Sequence, residues 1–348
     1  MIAPFFHAWE RRLASVTTNR VVREFDWGLD WIPNGSLTGR PHRGDDAEQV
    51  EQWVADVMRD TGAFFEIPGT QDYSYDRATT SLSFPSALTT PHPDNNTVHA
   101  RWFPAATEPA IGAPGPRGRA VVLLPQWNAD AEGHVGLAKL LARFGVSALR
   151  LSLPYHDARM PPELTRADYI VSSNIARTLQ VCRQAVLDAR RAVGWLEAQG
   201  FERIGILGTS LGSCLAMLTT AHEPRIRAQA LNHVSPRFAD VVWRGLSTEH
   251  VRRGLDGHID LDLLRQLWRP ISPSSYYGRV RHAHSLLVYA KYDQTFPLDL
   301  SEEIVREFRQ HGLSHEAVAL PCGHYSSGAA PFKFLDGYVL TRFLLRNL

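Results

Sequence analysis

Arg203-Ile-Gly-Ile-Leu-Gly-Thr-Ser-Leu-Gly212 decides how this chain is read. Residues 203–207 are a short apolar run of strand type, and an apolar helical stretch from Leu211 to Ala221 begins almost immediately after them. A strand and a helix joined by so few residues need a very tight turn. Gly208 and Gly212 suit it, because the turn forces neighbouring chains together and leaves no room for a Cβ atom. Ser210, between them, is expected to project from the sheet edge at the positive end of its helix. G-x-S-x-G is short enough to arise by chance. Its position between a strand and a helix is what makes Ser210 a candidate nucleophile.

Working outward, apolar runs of strand length alternate with helical patterns from Ala120 onward. Strands are expected at 120–124, 146–153, 203–207, 226–231, 285–290 and 316–320. Helices are expected at 134–144, 175–199, 211–221, 299–312 and 332–345, with capping-box spacing in Asp299-Leu-Ser-Glu302 and with Gly145, Gly200 and Gly312 at helix ends. Such alternation predicts an α/β protein with a mostly parallel, doubly wound sheet. Between the strands at 226–231 and 285–290 lies an insertion, about 235–284, too long for a simple loop. Two helices, 239–253 and 261–268, are expected there, with Pro270 and Pro273 closing the second. The start of the chain differs: a helix at 47–59, a turn at Pro33-Asn-Gly-Ser36, and two short strands at 79–84 and 97–103 joined by a turn at 91–96. We therefore expect an N-terminal extension over 1–75 and one catalytic domain over 76–348, with the insertion forming a helical lid.

With Ser210 in its strand–turn–helix setting, residues 75 to 348 resemble the α/β-hydrolase superfamily, whose chain order is nucleophile, acid, histidine. Two residues fit the remaining places by position. Asp293 stands just after strand 285–290 in Ala290-Lys-Tyr-Asp-Gln-Thr-Phe-Pro297, and His324 follows the last strand in Leu320-Pro-Cys-Gly-His-Tyr325. Both fall at carboxyl ends of strands, where open α/β sheets bind ligands. Of fifteen histidines, His324 is the one read as having that position. His324 would take the serine proton and return it to the leaving group, while Asp293 fixes its tautomer. Asp240 and Asp299 are the weaker alternatives for the acid.

The resemblance also implies an oxyanion hole built from the amide of Leu211 and one from the loop after strand 120–124. That loop reads Pro125-Gln-Trp-Asn128, where many members of the superfamily carry His-Gly, so Gln126 and Trp127 both stand as donors. Trp127 has a second reading as a pocket wall. Leu153-Pro-Tyr-His-Asp157 is similar to the Pro-Tyr loop of some dienelactone-hydrolase-like and acetylesterase-like members. It implies Tyr155 and His156 at the substrate, or as turn residues packed beside the serine. Trp243 and the other insertion aromatics read either as substrate contacts or as the core of a helical lid.

Composition narrows the function classes. Lys plus Arg number 37 against 36 Asp plus Glu, leaving no basic surface excess to attract nucleic acid or an anionic membrane. The three cysteines are odd in number and widely spaced, the N-terminal apolar stretch lacks the features of a signal peptide, and no apolar run reaches membrane-spanning length. A cytoplasmic protein is the resulting expectation, with oligomerisation left open. Neither a metal motif nor a nucleotide-binding glycine pattern occurs, so no cofactor is expected; His282-x-His284 lacks further ligands. The sequence reading is a serine hydrolase acting on a small-molecule carboxylic ester through an acyl-enzyme. Acyl transfer, amide or peptide hydrolysis on the same residues, and a non-catalytic binding protein remain as alternatives.

Overall fold

In chain order the helices and strands are α1 (Ala3–Ala14), α2 (Asp46–Arg59), α3 (Thr61–Phe64), β1 (Ser74–Asp76), β2 (Ser81–Pro85), β3 (Thr97–Phe103), β4 (Arg119–Leu124), α4 (Val135–Arg143), β5 (Val146–Leu151) and α5 (Ile175–Ala198). They continue with β6 (Arg203–Thr209), α6 (Leu211–His222), β7 (Ile226–Asn232), α7 (Phe238–Arg244), α8 (Glu249–Leu255), α9 (Leu261–Leu267), β8 (His284–Ala290), α10 (Leu298–Gln310), β9 (His315–Leu320) and α11 (Phe332–Asn347). The computed structural model describes residues 2–33, 44–70 and 72–348. Apart from Pro33, the turn expected at 33–36 lies outside the described residues.

One sheet runs in the order β1-β2-β3-β5-β4-β6-β7-β8-β9. β1, β2 and β3 pair antiparallel, β3 also joins β5 antiparallel, and every pair from β5 to β9 is parallel. The central strands are buried on both faces, which is why they read as unbroken apolar runs in the sequence. Side chains alternate across the sheet. Val122 and Leu124 of β4 join the core under α5 and α6, whereas Val121 and Leu123 join the core under α4 and α11.

Local chemistry explains the ends of the principal helices. Asn174 caps α5 by accepting from the Arg177 amide, and Gly200 follows in a left-handed conformation that ends the helical path. Asp45 and Glu48 form a reciprocal capping box at the start of α2, which sends Val50, Trp53, Val54 and Val57 into the same core as α5. On the opposite face, Phe6 of α1 stacks on Tyr292 at 4.5 Å and joins the core of α4 and α11.

Two expectations need correction, and one short strand was not expected. The helix expected at 239–253 is two helices, α7 and α8, because Gly245 packs against the carbonyls of Val241 and Thr295 and the Leu246 amide bonds the Gln294 carbonyl instead of continuing the helix. The capping box at Asp299 does not form. α10 starts after Pro297, and the Asp299 carboxylate is taken by Arg244, both oxygens accepting at 2.8 Å. Residues 74–76, three residues at the sheet edge, form a strand too short to stand out by periodicity.

Candidate active site

The site is assembled at the carboxyl ends of β6, β7, β8 and β9. At the end of β6, Ser210 has φ 57° and ψ −121°, a conformation rare for a residue with a side chain, and it caps α6 without using its hydroxyl. Two backbone bonds fix this turn: the Ser210 amide donates to the Asn232 carbonyl at 2.8 Å, and the Ser213 amide donates to the Ser210 carbonyl at 2.9 Å. A Cβ on Gly208 would collide with the Gly212 carbonyl, and one on Gly212 with the carbonyls of Leu124 and Pro125. The glycines therefore let α6 start against both β6 and the loop after β4. His134 braces the turn from beneath, its Nε2 lying 2.9 Å from the Thr209 hydroxyl.

Asp293 lies in the turn after β8 and is almost entirely buried. One carboxylate oxygen accepts the backbone amides of Thr295 and Phe296, both at 2.7 Å. The other meets two imidazoles, His324 Nδ1 at 2.9 Å and His233 Nδ1 at 3.0 Å. Burial alone would raise the Asp293 pKa, but the charge and hydrogen bonds of His324 and His233 outweigh it and hold the carboxyl well below the usual range. With Nδ1 on Asp293, His324 stacks flat on Phe296 at 5.4 Å. Its Nε2 is thereby left as the ring atom available for proton transfer. Ser210 is buried and makes no side-chain capping bond to α6, so the helix it begins does not commit its hydroxyl.

The structure brings Ser210, Asp293 and His324 to one end of the sheet and takes the alternative acids elsewhere. Asp240 is fully buried between Arg237 and Arg265, and Asp299 pairs with Arg244 at the surface. The uniqueness assigned to His324 does not hold: His233 also follows a strand end, β7, and shares the Asp293 oxygen. Its position after Asn232 could have been found by the rule that located His324. For His233, burial opposes protonation, but the Asp293 hydrogen bond and charge prevail and raise its pKa. His233, Asp293 and His324 are also the residues whose metal-type ligand atoms cluster within 4.8 Å. Both imidazoles direct Nδ1 at the same carboxylate oxygen, an acid–base hydrogen-bond pattern rather than ligands converging on a vacant centre.

Ser210 opens into a cavity of about 30 Å³ lined mainly by apolar groups, among them Trp127, Leu211, Cys214, Phe238, Val242 and Phe296. Phe238 and Val242 come from α7, so the insertion roofs the serine. Trp127 stands as a wall, held by its indole N–H on the Ala167 carbonyl at 2.8 Å and stacked on His250. The amides of Gln126, Trp127 and Leu211 have no hydrogen-bond partner among the described residues. The Asn128 amide, by contrast, donates to His156 Nε2 at 2.9 Å.

Tyr155, His156 and Trp243 are not among the residues lining this cavity. Tyr155 lies in the core with its hydroxyl on His92, and His156 is clamped between the Pro154 carbonyl and the Asn128 amide. The Pro-Tyr loop thus holds the loop that carries Gln126 and Trp127. Trp243 sits half-buried against the core, with the Arg252 guanidinium over its ring. All three cysteines are buried and unpaired, with Cys214 on the cavity wall and its thiol pushed up to about 11 by burial.

No protein-family profile and no curated protein matches this chain. Among solved structures it is similar to an acylaminoacyl peptidase of Pyrococcus horikoshii, with TM-score 0.59 and 14% identity over 80% of this chain. The likeness spans only 42% of that peptidase's length. It is also similar to an acetyl xylan esterase of a Paenibacillus species, with TM-score 0.59 and 14% identity over 97% of this chain and 99% of the other. A third neighbour is acetyl xylan esterase 1 of a Thermoanaerobacterium species, with TM-score 0.56 and 15% identity over 92% and 99% of the two chains. The chain has the α/β-hydrolase fold, with a mostly parallel sheet, a helical insertion between β7 and β8, and helices preceding the sheet. Among the described residues, no helix is long and apolar enough to cross a membrane.

Proposed function

We propose that this protein is a serine hydrolase that cleaves a small carboxylic ester carrying a short acyl group. The observation that carries the reading is the strained Ser210 turn, opening into an apolar cavity at the N-terminus of α6 beside an imidazole fixed by Asp293. In this reading Ser210 attacks the ester carbonyl while His324 Nε2 accepts the hydroxyl proton. Asp293 holds the Nδ1 tautomer and stabilises the imidazolium. The Leu211 amide, at the positive end of α6, and the Gln126 or Trp127 amide receive the oxyanion. His324 then protonates the departing alcohol, and water repeats the sequence on the acyl-enzyme.

The cavity supports a small acyl group. One water requires about 10–15 Å³ of comparable volume, so about 30 Å³ offers two or three such positions, enough for an acetyl unit. Phe238 and Val242, from α7, are among the side chains a longer acyl chain would meet. The same groups would cleave an amide by the same route.

The test is turnover of p-nitrophenyl acetate, butyrate and octanoate, together with labelling by a fluorophosphonate, for wild type and Ser210→Ala. Labelling and acetate turnover are expected in wild type, and a loss of at least about a thousandfold in Ser210→Ala. A wild type that neither labels nor turns over ester refutes the hydrolase reading in favour of a binding protein, and a merely twofold loss refutes the role of Ser210.

A further inference from the structure

We infer that Glu10, on helix α1, is a positioning residue that locks the loop bearing His324. Glu10 is completely buried, and its two carboxyl oxygens accept the backbone amides of Tyr325 at 2.8 Å and Ser326 at 2.9 Å, the two residues that follow His324. The contact reaches back more than 300 residues along the chain, so no local turn chemistry requires it. On the other side of the histidine, a Cβ on Gly323 would overlap the Glu10 side chain, so glycine is the residue that allows the carboxyl group so close. The loop is tied internally as well. The Gly323 amide donates to the Ser326 hydroxyl at 2.8 Å, and the Ser327 hydroxyl donates to the His324 carbonyl at 2.6 Å.

The same helix also reaches the acid. Phe6 stacks on Tyr292, the neighbour of Asp293, while the Tyr292 amide donates to the Cys322 carbonyl at 2.9 Å. Beyond α1, Arg20 spans the Ala14 carbonyl and the Tyr325 hydroxyl at 3.1 and 3.3 Å. Helix α1 therefore holds both the acid turn and the histidine loop, and Glu10 is its direct connection to the second. A loop carrying glycine next to the proton-transfer residue has backbone freedom, and an error of about 1 Å in such a group can cost about a hundredfold in rate. Glu10 removes that freedom by satisfying two adjacent amides that would otherwise be buried without partners.

This inference rests on the serine-hydrolase reading and is tested on the full chain with p-nitrophenyl acetate. Endpoint fluorophosphonate titration counts folded sites, so kcat is expressed per titrated site. In Glu10→Gln the amide presents an N–H group to one of the two backbone donors. The expected result is a fall in kcat per site of about 10- to 100-fold, with KM within about twofold of wild type. Glu10→Asp keeps two acceptor oxygens and is expected to recover part of the loss. Gly323→Ala disturbs the contact from the loop side and decides the matter if Glu10→Gln fails to fold. Its kcat should fall likewise, and the double variant should be no slower than the slower single variant. A purely structural Glu10 would lower the number of titrated sites and leave kcat per site at the wild-type value, and that result overturns the inference. If Ser210→Ala retains full turnover, the underlying hydrolase reading fails instead.

Discussion

Acid should destabilise this protein well above the pH at which ordinary carboxylates titrate, because several imidazoles are held in the neutral form. Two of them are His134, half-buried but with its Nδ1 enclosed, and His156, which is fully buried. Burial lowers the pKa of His134 to about 4, with Arg150 adding to the effect. Burial likewise lowers His156 to about 4 against the opposing Pro154 carbonyl and Asp157 charge. In the unfolded chain each titrates near 6.5, so between pH 6.5 and 4 the unfolded state binds the protons and the folded state does not. Stability is therefore fully present above pH 6.5 and is lost as pH falls toward 4. Relative to pH 8, each of the two histidines costs about 2 kcal/mol at pH 5. Together they remove about 4 kcal/mol from a typical total of about 5–15 kcal/mol. The assay is urea unfolding followed by tryptophan fluorescence from pH 8 to pH 4.5. His134→Asn is the informative variant, since His134 has φ 67° and asparagine tolerates that conformation. Whatever its effect at pH 8, the variant should flatten the pH dependence near pH 5.3 by about 1.2 kcal/mol per pH unit. Equal slopes for wild type and variant would refute the assignment of a buried neutral imidazole.

Gly212→Ala places a Cβ against the Leu124 and Pro125 carbonyls, directly before the loop that carries Gln126 and Trp127. It should abolish ester turnover and lower the melting temperature, measured by p-nitrophenyl acetate hydrolysis and differential scanning fluorimetry. Asp293→Asn should reduce kcat by about 10³- to 10⁴-fold, as loss of the orienting carboxylate does in serine hydrolases. Asp240→Asn should instead leave kcat per folded site within a few fold while lowering stability, because Arg237 and Arg265 lose their buried partner. Val242→Ala should move the preferred acyl chain from acetate toward butyrate by enlarging the roof of the cavity, read as the ratio of the two kcat/KM values.

Much of this fold was legible in the sequence because its central strands are buried on both faces and most of its helices present an apolar face to them, α6 being buried all round. The apolar runs at 120–124 and 203–207 and the helix ended by Gly200 lie where their patterns put them. The Ser210 turn was legible for a steric reason: two glycines at fixed spacing are what a strand-to-helix turn this tight demands. Asp293 and His324 could be placed at strand ends, since chain order along a parallel sheet fixes which end a loop occupies.

The rest depended on contacts between distant segments. No periodicity relates Glu10 to Tyr325 or His233 to Asp293, because their partners meet only when β7, β8, β9 and α1 are packed together. Tyr155 and His156 sit at a strand end that sequence reading could locate, but only packing directs one side chain into the core and the other onto the Asn128 amide. Gly245 ended α7 for a tertiary reason as well, since its environment is the Thr295 carbonyl of another loop. The sequence by itself determined the alternation of strands and helices from β4 onward, apart from the break between α7 and α8, and the serine turn, both governed by local sterics and the pattern of apolar burial. The tertiary structure alone decided which groups hold the histidine loop, how small the cavity beside Ser210 is, and which acids are already committed to arginines.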